Sequence, residues 1–576
     1  MKFTHTPLLS QAVPRWRGGF VLVLLMGSFL GLIGRSLYLQ SIKQDFLQQK
    51  GESRYARTLA LPATRGQILD RNGQVLAAST PVRSIWAIPN DASSLTPSQL
   101  RQLGRLLDMD VVDLNARFAA GKDFVYLKRQ VAPDVAAQIK ALALPGIHDV
   151  PEFRRYYPVG EVTAHVVGFT GAEDVGLEGV ERMLQSSLAG TPGSRRVIRD
   201  RRGNVVEDVE SIKEPQDGQD VVLSLDSKLQ YLAFTALKQA LAENRAKAGG
   251  IVVLDAKTGE ILALANLPTY NPNNRSGVSL AQLRNRALID SFEPGSTLKP
   301  FTVALALDQG KFRPETPVQT APGRLTIGRA TISDAHPHGM LTVAEVIQKS
   351  SNVGVAKIAA TLSYQDMWRM FDTAGFGTPP RLGFPGESGG RLRPYKNWRP
   401  IEQATMSYGH GIAVSLMQLA NSYLAFARDG SAVPLSLTRL DAAPSSAKRV
   451  FSARTAASVR AMLEMAVQDG GTAPKAQIAG YRVAGKTGTA YKIEGGQYNT
   501  KKYVSSFVGF APASAPQLIV AVMIDEPGAG KHYGGEVAAP VFAQVMAAAL
   551  RTLGVKPDGP MTPLQLAGAP PTREGL

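Results

Sequence analysis

Hydrophobic and polar positions alternate with different periods in successive regions of the chain. Residues 18–34 are seventeen uncharged, mostly apolar positions, extended past Arg35 by Leu37, Tyr38 and Leu39. That length is close to the minimum for crossing a bilayer, with Arg35 able to snorkel and Trp16 and Tyr38 as interface anchors. No small-x-small cleavage site follows, so the pattern predicts a retained signal anchor over 18–40, against a cleaved signal peptide or a buried core helix. The preceding head, residues 1–17, carries Lys2, Arg15 and Arg17 and no acidic residue. Positive charge on the leading side predicts a cytoplasmic N-terminus, with the rest of the chain on the far side of a single span.

Residues 41–220 show short strand and helix periods. Ile68-Leu69, Asp70-Arg71-Asn72-Gly73 and Val75-Leu76 predict a hairpin turned by Asn-Gly, with Arg65 and Gly66 beside it in structural roles. The break at Thr191-Pro192-Gly193 and the charged run over 195–202 predict elongated, solvated pieces. No catalytic constellation falls here, and the region is expected to be a pedestal or interaction module.

A second domain is expected over 221–554. A strand over 221–225 leads to Asp226 as a helix cap, and Leu229, Leu232, Ala233, Ala236, Leu237, Ala240 and Leu241 repeat at three and four. Strands are predicted at 251–255 and 260–265, joined through Lys257-Thr258-Gly259. Thr342-Val343-Ala344-Glu345 is a capping box that opens a helix. Further strands fall at 481–489, 503–509 and 518–524, before an Ala-rich helix over 541–550. Helices in the middle with strands at both ends predict an α+β fold whose antiparallel sheet is assembled from distant segments. The Pro/Gly-rich stretch 555–576 is expected to be a disordered tail.

Composition narrows this picture only slightly. A length of 576 residues implies two or three domains, and 44% hydrophobic against 19% charged residues fits a globular chain. The formal net charge of +17 is compatible with nucleic acid, an anionic surface or an acidic polymer. With no P-loop or RNA-binding signature, it does not choose among them. The absence of cysteine excludes disulfides and thiol chemistry, and with seven histidines no zinc-ligand spacing occurs.

Three short motifs carry candidate chemistry. Ser296-Thr297-Leu298-Lys299 opens a helical period after Pro294-Gly295, and residues three apart share a helix face. Ser296 would be a nucleophile with Lys299 as its base, provided that burial or a nearby cation favours the neutral amine. A second Ser-x-x-Lys at Ser445-Ser446-Ala447-Lys448 has no apolar period behind it and reads as loop. Ser350-Ser351-Asn352 is the only Ser-x-Asn in the chain, one side chain suited to relay a proton and the other to grip a substrate amide. Lys486-Thr487-Gly488-Thr489 sits in a predicted strand. Thr487 and Thr489 share a face there and could hold a carboxylate, while Gly488 would let a substrate backbone approach. Lys257-Thr258-Gly259 repeats the triplet as a hairpin turn.

Ser-x-x-Lys, Ser-x-Asn and Lys-Thr-Gly in that order make this chain similar to the penicillin-recognising serine acyl-transferases. Within them it resembles the class B penicillin-binding proteins, most closely the division-specific septal transpeptidases of the FtsI type. The resemblance is carried by residues 65–73, 292–300, 384–388, 407–411, 483–490, 508–513 and 533–535. It implies a peptidoglycan D,D-transpeptidase in which Ser296 attacks the D-Ala-D-Ala carbonyl of a stem peptide and β-lactams trap the same serine. It further implies that Lys299, Ser350 and Lys486 move or tune protons. Asn352, Thr487, Gly488 and Thr489 would bind substrate, and the amides of Ser296 and Thr489 would form an oxyanion hole. No metal or organic cofactor is implied. A septal SEDS glycosyltransferase (FtsW type) and other divisome membrane proteins are the implied partners. Alternatives are the elongation transpeptidase, a β-lactamase, a β-lactam receptor and a non-catalytic division scaffold.

Overall fold

The computed structural model describes residues 14–43, 56–119, 124–199 and 205–560. The basic head as far as residue 13, Lys2 included, and the tail from 561 lie outside them. The described chain forms two compact units that interleave along the sequence, so a single cut near Val221 does not separate them. One unit comprises the described residues within 1–63, 84–151 and 191–217; the other comprises those within 64–83, 152–190 and 218–576.

The first unit contains helix α1 (Arg15–Leu37), an apolar helix long enough to span a bilayer, with every side chain from Arg15 to Leu37 exposed. Its small core joins Ile85, Leu103, Leu107, Leu114, Leu127 and Ile139. Segments Ala56–Leu61, Gly193–Arg199 and Val205–Lys213 form a three-stranded antiparallel sheet with the Gly193–Arg199 strand central. This corrects the expectation of solvated pieces from residue 195 to 199; residues 200–202 lie outside the described residues. Val197, 1% exposed, gives the strand a buried face that its flanking arginines disguise in the sequence.

The second unit begins with the predicted hairpin. In β1 (Ile68–Leu69) and the start of β2 (Val75–Ala87), the Asp70 carboxylate accepts from Asn72 N and Gln74 N at 2.8 Å, and Gly73 takes the left-handed turn position at φ 84°. Arg65 and Gly66 have the expected structural roles. Glu181 pairs with Arg65 Nε at 2.6 Å and with Arg155 Nε at 2.7 Å, all three side chains being at most 2% exposed. A Cβ on Gly66 would lie 2.0 Å from Gln219 O.

Asp226 caps α2 (Ser227–Glu243) as its sequence predicts, accepting from Lys228 N and Leu229 N. Strands β3 (Ala248–Asp255) and β4 (Ile261–Leu267) follow. Next come α3 (Lys299–Asp308), the box-capped α4 (Val343–Gln348) and α5 (Asn352–Ala359). The chain ends with β5 (Ala484–Glu494), β6 (Gln497–Ala511), β7 (Leu518–Asp525) and α6 (Ala539–Thr552). The five strands form one antiparallel sheet in the order β4-β3-β7-β6-β5. Alternate residues face two cores. Ile251, Val253, Val520 and Val522 pack with the apolar stripe of α2 and with α6, while Val252, Leu254, Ala521 and Met523 join the helical core that contains α3. Burial on both faces is why β3 and β7 read as unbroken apolar runs.

The tail is more ordered at its start than its composition predicts. Tyr481 OH donates to Val555 O at 2.7 Å, and the Asp558 carboxylate accepts from Arg482 N and Ser514 Oγ, which ties the chain down beyond residue 555. Val555 also packs against the core that contains α2 and α6, a single apolar contact too isolated to form a sequence pattern.

Candidate active site

The sequence-predicted residues converge where the start of α3, the start of α5 and edge strand β5 meet. Ser296 lies in a tight helical turn, Gly295–Leu298, which runs directly into α3 at Lys299. The missing side chains of Gly295 (φ 56°) and Gly488 let this turn lie against β5. A Cβ on Gly295 would lie 3.1 Å from Thr489 O; one on Gly488 would lie 2.3 Å from Ser506 Oγ and 2.6 Å from Pro294 O. The space at Gly488 is therefore filled by the Ser296 turn and by Ser506, not left for a substrate backbone as expected.

Behind Ser296 two lysines are fully buried. Lys299 Nζ donates to Ser350 O and, at 3.0 Å, to Ser350 Oγ. Lys486 Nζ reaches the same hydroxyl at 3.0 Å, with Thr487 Oγ1 at 3.2 Å and Thr472 Oγ1 at 3.4 Å. Among the described residues no hydrogen bond joins Lys299 to Ser296, so the predicted pairing is indirect: the amine rests on Ser350. Ser350 itself sits at φ 60°, between α4 and α5, a strained position that aims its hydroxyl between the two amines.

Burial pushes the Lys299 amine well below the ordinary lysine range, the Lys486 cation adds to this, and Asp334 opposes it. Burial brings Lys486 down to about 7. Two buried amines whose charged forms are disfavoured thus share one hydroxyl, an arrangement chemically able to pass a proton between them.

In front of this centre a cavity of about 550 Å³ is lined by Ser296, Ser333, Asn352, His410, Thr489 and Tyr533, among others. Asn352 Nδ2 donates to Ser333 O at 2.9 Å, which leaves its amide oxygen to the cavity. Thr489 Oγ1 accepts from Gly534 N at 3.0 Å and Thr487 Oγ1 bonds Thr472, so the two hydroxyls are already oriented. Of the two decoys, Lys257-Thr258-Gly259 is the expected β3–β4 turn, with Asp255 accepting from Lys257 N and Thr258 N. Ser445 lies in the expected loop, whereas Lys448 opens a two-residue strand, Lys448–Arg449, paired with Ser431–Ala432; Ser445 and Lys448 are both exposed.

Six further residues, to which the sequence reading gave no role, contribute to the site. Asp334 fixes the start of α5, accepting from Ser351 Oγ at 2.7 Å and Val353 N at 2.9 Å. Thr472 closes the ring around Lys486. Tyr503, His532 and Tyr533 build an aromatic wall, with ring centroids 4.0 Å and 4.4 Å apart in succession. Glu293, just before the turn, is 6% exposed and accepts from Gly411 N. Glu293 and Tyr533 had a visible signal, since they fall in the stretches 292–300 and 533–535 that carry the resemblance.

With this geometry in hand, comparisons with known proteins are informative. The family model of the penicillin-binding protein transpeptidase domain matches residues 249–547, and that of the penicillin-binding protein dimerisation domain matches 60–223. The chain is 45% identical over 550 residues to the probable peptidoglycan D,D-transpeptidase PenA of Neisseria gonorrhoeae, covering 95% of this chain and 94% of that one. It is 42% identical to the peptidoglycan D,D-transpeptidase FtsI of Escherichia coli, covering 94% and 93%. Among solved structures, the transpeptidase domain of penicillin-binding protein 3 from Burkholderia pseudomallei matches with a TM-score of 0.55 and 50% identity, covering 59% of this chain and 98% of that one. A serine cavity backed by two buried lysines, inside a matched transpeptidase domain that follows a matched dimerisation domain, places this chain in the class B penicillin-binding proteins, among the FtsI-type transpeptidases.

Proposed function

We propose that this chain is a peptidoglycan D,D-transpeptidase that cross-links stem peptides at the division septum through an acyl-enzyme on Ser296. The observation that carries the reading is the Ser350 hydroxyl held at 3.0 Å by both Lys299 and Lys486, directly behind the cavity that Ser296 lines.

The first half-reaction needs a base for Ser296, and Lys299 supplies it in its neutral form. Its amine turns from Ser350 to the Ser296 hydroxyl as substrate fills the cavity, since catalytic hydrogen bonds commonly tighten only in the complex. Ser296 Oγ attacks the carbonyl between the two terminal D-alanines. The amides of Ser296 and Thr489 receive the developing oxyanion, each such donor being worth about 2.7–4 kcal/mol. The C–N bond breaks, and the proton taken by Lys299 passes through Ser350 to the departing D-alanine amine. An amine of a neighbouring stem then attacks the ester, losing a proton as Ser296 regains one, and the cross-link forms. Asn352 grips the donor backbone, Thr487 and Thr489 hold its terminal carboxylate, and the Lys486 cation tunes Ser350. β-Lactams acylate the same serine.

Helix α1 anchors the enzyme as a single pass, with Lys2, Arg15 and Arg17 holding the N-terminus in the cytoplasm and the catalytic domain outside it. A septal SEDS glycosyltransferase (FtsW type) and other divisome membrane proteins are the expected partners, bound through α1 and residues 41–220. The resemblance to FtsI supports the septal role over the elongation role. Mass spectrometry after treatment with a labelled penicillin should place the adduct on Ser296 alone. Labelling of Ser445, or labelling that survives Ser296→Ala, overturns the assignment. Depletion should give filaments with unfinished septa; round, swollen cells with closing septa would assign the elongation role instead.

A further inference from the structure

Beyond Tyr491 the strands β5 and β6 continue as a hairpin that takes no part in the catalytic contacts described above. Its base is pinned by ions: Lys492 Nζ meets both Asp525 oxygens at 2.8 Å and Glu526 Oε1 at 2.7 Å. Its tip turns through Gly495 and Gly496, at φ 59° and 81°. Tyr498, close to that tip, is 49% exposed, so burying its ring gives the hairpin little. Its hydroxyl nevertheless points inward and lies 3.0 Å from each carboxylate oxygen of Glu293.

Glu293 is a poor place for an unsupported charge. Burial raises its pKa, and the hydrogen bonds from Gly411 N and Tyr498, with the Arg391 cation behind them, oppose that rise. Through Pro294 and Gly295 the same residue leads into Ser296. Gly295 N donates to Gly409 O at 3.3 Å, and a Cβ on Gly409 would fall 2.2 Å from Gly295 O. One carboxylate therefore ties together three pieces of backbone: the nucleophile's turn, the loop 407–411 whose His410 lines the cavity, and the hairpin. The Tyr498 ring lies 6.2 Å from that of His410.

We infer that Tyr498 is a positioning residue for Ser296, acting through Glu293, so that the hairpin governs the rate of acylation and not the affinity of the cavity. The inference rests on the reading of Ser296 as the acylated serine. Misplacing a nucleophile by about 1 Å can cost ~100-fold in rate, and losing one of two restraints on its turn costs less.

The test uses the purified full chain in detergent with a fluorescent penicillin, resolving the dissociation constant of the encounter complex from the rate constant of acylation. Both quantities are independent of the fraction of protein that folds. Tyr498→Phe should slow acylation about tenfold and shift the dissociation constant by less than about twofold. Glu293→Gln should slow it as well, and the double variant should be no slower than the slower single, because both act through one link. Glu494→Gln, which disturbs the exposed Lys502 pair of the same hairpin at 2.6 Å, should acylate like the unaltered chain. Acylation by Tyr498→Phe at the unaltered rate overturns the inference. Multiplying effects in the double variant, or equal slowing by Glu494→Gln, overturn it too. Failure of the unaltered chain to label Ser296 would instead overturn the reading on which it rests.

Discussion

Two amines and one hydroxyl at the base of the cavity set the pH behaviour of the reaction. In the proposed mechanism Ser296 needs a neutral Lys299, and burial together with the Lys486 cation pushes that amine well below the ~10.4 of a free lysine. Acylation measured against pH should therefore level off well below the ordinary lysine range, and a rate that keeps climbing toward ~10.4 would mean an ordinary lysine. The stability consequence has the opposite sign from an ion pair. Lys486 titrates near 7 when folded, so between there and ~10.4 the unfolded chain binds more protons and stability rises with pH. The penalty is full below the folded value. Lys486→Met should thus raise stability near pH 7 by about 1–4 kcal/mol while abolishing acylation, a trade read from denaturant melts beside labelling.

At the scale of elements, function depends on how closely the Ser296 turn is laid against β5. Gly488→Ala puts a methyl 2.3 Å from Ser506 Oγ, a side-chain atom that can rotate away, and 2.6 Å from the Pro294 carbonyl oxygen, which cannot move without moving the Ser296 turn. Acylation should fall about 100-fold with the chain still folded, as circular dichroism would record. Unchanged acylation would show that the turn can retreat freely. A different joint holds the start of this unit, where Glu181 neutralises Arg65 and Arg155 with no access to water. Glu181→Gln leaves two buried guanidinium groups with only the neighbouring Asp174 carboxylate between them and should cost about 3–5 kcal/mol in chemical denaturation. A loss below about 1 kcal/mol, the range of exposed pairs, would mean that water enters this joint.

For the molecule as a whole, α1 exposes an uncharged, mostly apolar surface from Phe20 to Ile33, which water does not tolerate on a free helix. The full chain should partition into detergent, whereas a chain beginning after residue 43 should remain in the aqueous phase and still take up labelled penicillin. Aqueous partition of the full chain would remove the anchor. A reporter fused after Leu576 should be active only if it functions outside the cytoplasm, and activity of a cytoplasm-only reporter there would reverse the topology.

Local chemistry was legible in the sequence wherever neighbours along the chain decide the structure. The Asp226 and Thr342 caps, the Asn72-Gly73 turn, the apolar stripe of α2 and the lone apolar run at α1 depend on residues a few positions apart, and each stands where its pattern places it. The order of Ser296, Ser350 and Lys486 was equally readable, because reaction chemistry restricts residue types at each motif. What the sequence could not contain is the meeting of its distant parts. That Lys299 rests on Ser350 and not on Ser296, that Gly488 yields its space to Pro294, and that Tyr498 reaches Glu293 across more than two hundred positions are consequences of packing. The depressed Lys299 and Lys486 belong there as well: a lysine in a sequence has water around it, and only the closed core, by excluding that water, makes the neutral amine the cheaper form.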